Sequence, residues 1–346
     1  MRRREFRSDT MTAPTATMRR AMAEAEVGDD VCGEDPSANR LEKLAAETVG
    51  TEAALFVPSG TFGNQCAIAV HTRPGDEVIV AESGHVIEHE AGASAALAGV
   101  QTRTVVPAET PWLTAADIAP RLRTVPDVHH PDTGLIVLEN ALADGTVMPL
   151  HAMAEVADLA RAHAVPVHLD GARLFNAAVA LDVPASDIVA HCDSVSFCLS
   201  KGLGAPVGSM LCGSTDFISR ARSRRKIMGG GMRQVGVLCA PGIVALEEGP
   251  SQLARDHANA RLLAELLVAI PGIKVDLENV QINMVYCRVS CEGHTEDGLV
   301  DHLDRLGFDV YPPTAIGIRF VTSREVDHDD VRNLAEAVVQ YMSARV

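Results

Sequence analysis

Short apolar runs recur along the first two thirds of the chain, and each is followed by a small or polar residue. They cover 53–57 (AALFV), 77–81 (EVIVA), 101–106 (QTRTVV), 134–140 (GLIVLEN), 166–170 (PVHLD), 194–199 (SVSFCL) and 207–212 (VGSMLC). GLIVL and SVSFCL are apolar without alternation, which predicts strands covered on both faces. Between several runs the apolar positions take helical spacing, as in NRLEKLAAETVG (39–50) and LHAMAEVADLARAHA (150–164). Strand, helix, strand at these distances predicts right-handed crossovers. The expected fold is therefore α/β, with a mainly parallel seven-stranded sheet and helices on both faces.

Beyond the segment GGGMRQVGVLCAPGIVALEEGP the pattern changes. A long helix over about 251–269 leads into short strand candidates (IKVDL, INMVYCRV, GIRFVT). A helix near 296–306 separates them, and one over 326–343 closes the chain. This predicts a small α+β domain, 249–346, resting on a large one, 1–248, whose N-terminal arm contributes to the site.

Composition narrows the partners. A formal net charge of −16 argues against nucleic acid and anionic membrane. The cationic cluster Arg222 to Lys226 then reads as a local device or a solvated helix face. The eight cysteines contain no CxxC pair, and several sit in apolar runs. They are expected to be buried free thiols of a reducing compartment, not a disulfide frame or a metal centre. MRRREFRSDTMT has a basic start without an apolar stretch behind it, so a cytoplasmic location is expected.

Candidate chemistry collects at the strand ends, which is where open α/β sheets bind ligands. In SFCLSKGLGAPVGS, Lys201 follows an apolar strand among small residues. It suits a lysine approached closely enough to form an imine, or else a surface lysine in a Gly-rich turn. Asp170 ends the strand of VPVHLDGARLF, and a carboxylate buried there needs a cationic or hydrogen-bonded partner. A pyridinium N–H would serve, and so would a helix N-terminus capped by the aspartate. Arg173, one helical turn on, is either an anion ligand or a surface arginine. In VPSGTFGNQ, Ser59, Gly60 and Thr61 end a strand and open a helix, which presents free N–H groups to a phosphate. In ESGHVIEHEAG, His85 could stack on a flat ring, with His89 and Glu90 behind it. An imine lysine, a pyridinium acceptor, a phosphate loop and a stacking imidazole together point to pyridoxal 5′-phosphate (PLP).

The chain also resembles, over nearly its whole length, the threonine aldolase family of PLP-dependent fold-type-I enzymes, the aromatic amino acid beta-eliminating lyase/threonine aldolase group. The resemblance is carried by FRSDTMT, VGDDVCGEDPSANRLE, PSGTFGNQ, GHVIEHEAG, HLDGARLFNAAVA, SFCLSKGLGAPVGS and RKIMGGGMRQVGVLCAPG. It implies cleavage of the Cα–Cβ bond of a β-hydroxy-α-amino acid, with L-threonine or L-allo-threonine giving glycine and acetaldehyde. The other reading is a PLP-dependent β-eliminating lyase, or a transaldolase acting on a relative such as phenylserine. By resemblance Lys201 carries PLP, His85 stacks on it, Asp170 pairs with the ring nitrogen, and Ser59, Gly60 and Thr61 hold phosphate. Asn140 would reach the phenolic oxygen. Ser8, Arg173 and Arg319 would grip the substrate carboxylate, while Lys226 and Arg233 would reach the site of a neighbouring subunit in a homotetramer.

Two positions depart from the family pattern. Cys32 stands where the family has tyrosine. The loop ENALADGTVMPL lacks, around Ala141 to Ala143, the histidine that serves the β-hydroxyl in relatives. His85, His89 or a phosphate-linked water are the candidates left for that base.

Overall fold

The computed structural model describes residues 3–125 and 127–344. Seven strands form the large sheet: β1 Ala53–Val57, β2 Glu77–Ala81, β3 Gln101–Val105, β4 Thr133–Glu139, β5 Val167–Asp170, β6 Ser194–Cys198 and β7 Ser209–Gly213. Their spatial order is β1-β7-β6-β5-β4-β2-β3. Each lies within one or two residues of the run that predicts it. Leu135, Ile136, Val195 and Phe197 are buried, because helices cover both faces.

Strands β2 to β6 pair in parallel with their sheet neighbours in that range, but β7 runs antiparallel to both β6 and β1. The reason is loop length. Parallel neighbours need a crossover of a dozen or more residues, and only 199–208 separate β6 from β7. That turn carries Lys201. Its glycines are set by packing: a Cβ on Gly204, which has φ +81°, would stand 2.5 Å from the Arg324 guanidinium carbon. On Gly202 it would meet Leu253 at 2.8 Å. The small residues around Lys201 are thus required by the C-terminal segment packed against this turn.

The C-terminal segment builds a three-stranded antiparallel sheet from β8 Ile273–Val275, β9 Met284–Val289 and β10 Ile318–Val321. Helices Pro250–Val268, Glu296–Arg305 and His328–Ser343 pack around it. Phe6 of the N-terminal arm belongs to the same apolar cluster, and Arg4–Glu5 pairs in parallel with Phe308–Asp309. The arm then crosses to the large sheet.

Candidate active site

Asp170 ends β5, buried, with Oδ1 accepting from Ala172 N–H at 3.1 Å and Oδ2 from Asn64 Nδ2 at 2.6 Å. Asn64 lies on the helix Gly60–His71, which is buried on every side from residue 63 to 70. A second hydrogen of Asn64 Nδ2 goes to Glu90 Oε1 at 2.9 Å, and Glu90 Oε2 accepts from Gln65 Nε2 at 2.6 Å. With both amide hydrogens committed to carboxylates, Asn64 Oδ1 can only accept. His168 Nε2, 3.2 Å from it, must therefore carry a proton. His168 Nδ1 then accepts from the Ser194 hydroxyl at 2.9 Å, and Ser194 accepts from His71 Nε2 at 2.8 Å. This direction requires His168 to be neutral, whereas His71 can donate from Nε2 in either state. Burial, helped by His71, pushes His168 down to about 3, and burial pushes His71 down to about 4.

His85 follows β2 by four positions. Its Nδ1 lies 3.0 Å from Glu90 Oε1 and 4.0 Å from Asp170 Oδ2. The hydrogen bond to Glu90 raises the imidazole above its ordinary value against the cost of burial, and Asp170 adds to the rise. His85, Glu90 and Asp170 bring three donor atoms within 4.8 Å of one another. Those atoms face each other through hydrogens supplied by Asn64 and His85, an arrangement that leaves a cation few free lone pairs.

Lys201, His85, Arg173 and Arg319 line one cavity of about 950 Å³ at the carboxyl ends of β2, β4 and β5. Glu139, the last residue of β4, lines it too and is the register partner of Asp170. Its Oε2 accepts from His85 N–H at 2.9 Å. Burial and the neighbouring Asp170 push the Glu139 carboxyl up to about 7. The outer wall is mostly apolar: Trp112, the only tryptophan, with Leu142, Ala143 and Met148, and Asp144 beside them. Tyr286 and Arg319, cross-strand partners on β9 and β10, complete it, and the Tyr286 hydroxyl donates to Ala143 O at 2.9 Å.

Several expected residues have other tasks. Asn140 is fully buried; its Nδ2 donates to Met148 O at 2.9 Å and toward Met153 Sδ at 3.5 Å. Its Oδ1 accepts from Met148 N at 3.1 Å. Both donors are occupied in fastening the loop, which corrects the expectation that it reaches a phenolic oxygen. Ser8 caps the turn Asp9–Met11, with its Oγ accepting from Thr10 N and Thr10 Oγ1, and Thr10 lines the cavity in its stead. Arg173, which lines the cavity, presents a fork to buried Asp9, Nε at 2.9 Å and Nη2 at 2.7 Å, and neither of these bonds uses Nη1. Burial opposes ionisation of Asp9, but Arg173 outweighs it and holds the carboxyl below its usual range. Lys226 and Arg233 are exposed outside this cavity, Arg233 pairing with Asp29 at 2.7 Å. In the cationic cluster, Arg225 is buried against Asp30 at 2.6 Å and Arg222 binds Glu42 at 2.6 Å.

The residues fit PLP. Ser59 caps the helix Gly60–His71 by accepting from Phe62 N–H at 3.2 Å, so the first turn directs its N–H groups outward. A Cβ on Gly60 would press on Cys198 Sγ at 2.9 Å, placing this loop against the strand that leads to Lys201. Buried Ser209 Oγ beside it has no partner among the described residues. An anion cradle, a buried carboxylate with two N–H donors and a lysine on one rim match a phosphorylated pyridine aldehyde.

The beta-eliminating lyase family model matches residues 5–290. A low-specificity L-threonine aldolase of Arabidopsis thaliana is 42% identical over 347 residues, covering 99% of this chain and 97% of that protein. The low specificity L-threonine aldolase of Escherichia coli K12 is 42% identical over 288 residues, 83% of this chain and 85% of the relative. Among solved structures, the threonine aldolase of Leishmania major superposes with a TM-score of 0.85 at 23% identity, covering 98% and 100% of the two chains.

Proposed function

The chain belongs to the threonine aldolase family, and from that premise we propose that it splits L-threonine or L-allo-threonine into glycine and acetaldehyde, using PLP. The observation that carries this reading is the buried Asp170 carboxylate, 4.0 Å from His85 beside the cavity that Lys201 lines. A carboxylate held there by Asn64 and Ala172 suits a ring N–H.

When bound, PLP supplies the electron sink for the pair released from the Cα–Cβ bond. Lys201 would hold its aldehyde carbon, and Ser59, Gly60 and Thr61 its phosphate. His85, its orientation fixed by Glu90, would offer its flat imidazole to the ring. Arg319 donates to Arg7 O at 3.4 Å, bonds the Tyr286 side chain and lies 6.0 Å from the Tyr311 ring centre, and its fork would receive a substrate carboxylate. Arg173 Nη1 is available from the other side. A carboxylate gripped in this way fixes the direction of the Cα–Cβ bond, which is an orientation effect.

A homotetramer built from dimers is part of the proposal, with Lys226 and Arg233 reaching the neighbour's site. Exposed Val27, Val31, Ile227 and Val237 on that side support it. So is a cytoplasmic location, which the eight free cysteines support.

The purified protein is expected to be yellow and to bleach with borohydride, adding mass to the peptide that contains Lys201. It should release acetaldehyde and glycine in equal amounts from one or both threonine diastereomers. Ammonia and a keto acid without acetaldehyde would establish β-elimination instead.

A further inference from the structure

Cleavage of a β-hydroxy amino acid needs a group that removes the hydroxyl proton. The one ionisable side chain of the loop 140–148 is Asp144, which lines the cavity but is turned to its own loop, its Oδ1 accepting from Thr146 N–H at 2.9 Å and Thr146 Oγ1 at 2.6 Å. Leu142 and Ala143 line the cavity with hydrocarbon. His85 is poorly placed for the task, because its Nδ1 is held by Glu90 and its basicity is raised, which favours the doubly protonated form. Glu139 differs. It sits at the carboxyl end of β4, lines the same cavity as Lys201 and Arg319, and is half-buried. Its single hydrogen bond among the described residues fixes Oε2 on the His85 N–H, so the carboxyl is aimed and not wandering.

We infer that Glu139 takes the β-hydroxyl proton, doing the work of the histidine absent from this loop. The inference rests on the aldol reading above. In the step, the hydroxyl proton passes to the Glu139 carboxylate and the Cα–Cβ bond breaks. The Cβ–O bond becomes the aldehyde C=O, and the electron pair stays with Cα. One proton delivered to Cα then makes glycine, so threonine gives glycine and acetaldehyde with nothing added or lost.

The charged and titratable groups facing Glu139 are Asp170 on β5, His85 after β2, Lys201 on the β6–β7 turn and Arg173 after β5. Burial and Asp170 favour its protonated form, while His85 N–H and the cations favour the carboxylate. A carboxyl balanced in this way can hold and return a proton near neutral pH.

The test uses the holoenzyme of wild type, Glu139→Gln and Glu139→Asp. Two reactions are measured: acetaldehyde release from L-threonine, and exchange of the glycine α-hydrogen in deuterium oxide. The second needs the cofactor and its lysine but has no β-hydroxyl. Cleavage by Glu139→Gln should fall about 10²- to 10⁴-fold, with exchange unchanged within a few-fold. Glu139→Asp should recover part of the loss. The acid limb of the cleavage pH profile should vanish in Glu139→Gln. In the cofactor-free protein, the infrared difference between wild type and Glu139→Gln should contain a carboxylic-acid band that titrates near neutral pH. Cleavage retained within a few-fold, equal losses of cleavage and exchange, or no titrating band would each overturn the inference. Failure of the wild type to make acetaldehyde while it exchanges glycine's hydrogen would overturn the aldol reading instead.

Discussion

The two ends of the site are built in opposite ways. Around Asp170 the polar groups are buried or half-buried and form one directed chain: His71 to Ser194, Ser194 to His168, His168 to Asn64, Asn64 to both Asp170 and Glu90. Around the loop 140–148 the wall is mostly hydrocarbon from Trp112, Leu142 and Met148, and the polar contacts, those of Asp144 with Thr146 included, serve the loop itself. An unmade hydrogen bond at the inner end leaves a buried group unsatisfied, at a cost of about 1–3 kcal/mol. Exchanging one apolar group for another at the outer end costs less. Ring chemistry should therefore be rigidly specified, while the choice of β-substituent stays adjustable.

Substitution of Asp170 by Asn breaks the inner end most severely. A charge in contact is worth roughly one to three pKa units, and each unit is a factor of ten. Acetaldehyde release should fall about 10- to 1,000-fold with the protein still folded; a smaller loss would mean that Asp170 does not face a protonated ring. Asn64→Ala comes next. It removes the donor shared by Asp170 and Glu90 without touching the cavity. Loss of about 1–3 kcal/mol should appear as a roughly 10- to 100-fold weaker hold on PLP, measured by equilibrium dialysis. Unchanged affinity would reduce Asn64 to a packing residue.

Much of the inner end was legible in the sequence, because doubly covered strands are continuous apolar runs and the groups gathered here stand at their ends or within four positions of them. Lys201, Asp170 and His85 were found in this way. Asn64, Gln65 and His168 were not, although each is a polar residue inside a buried element. What such a residue faces is decided by the element across from it, and Asn64 and Asp170 are 106 positions apart in the chain. Asp9 and Arg173, 164 positions apart, lack a local signal for the same reason. The reversal of β7 could have been read, since ten residues cannot make a crossover. At the outer end the absent histidine was plain, but Glu139 was passed over as an ordinary strand terminus. Its neighbours His85 and Asp170 come from other strands.

A third prediction tests the inner end as stability. His168 is held neutral in the fold down to about 3, whereas a free histidine gains its proton near 6.5. A depressed histidine contributes stability that is fully present above 6.5 and is lost as pH falls through that value. The loss is about 1.4 kcal/mol per pH unit per proton until the folded group titrates. His71, pushed down to about 4, adds a second proton to the same acid window. His168→Gln keeps a donor for Asn64 and removes one titration. Its melting temperature should fall less steeply than the wild type's between pH 6.5 and 5. Parallel curves would mean that His168 is protonated in the fold, which the direction of the chain forbids.

The smallest effect belongs to the outer end. Leu142 lines the cavity on the apolar stretch of the loop, next to Asp144, whose Oδ1 is held by Thr146. Leu142→His places an imidazole there while Asn140 and Met148 keep the loop fastened. Threonine and allo-threonine differ only in which way the β-hydroxyl and methyl groups point. One added hydrogen-bonding group on one wall therefore acts on the difference between them. Its effect on the ratio of kcat/KM for the two diastereomers should be about tenfold, at the lower end of the roughly 1–3 kcal/mol that a single pocket contact discriminates. Glycine α-hydrogen exchange should not change, because the inner end is untouched. If exchange falls together with the ratio, the two ends are mechanically coupled and their separation is wrong. If the ratio moves alone, the adjustable wall is confined to this loop and to the residues it packs against, Trp112 and Tyr286.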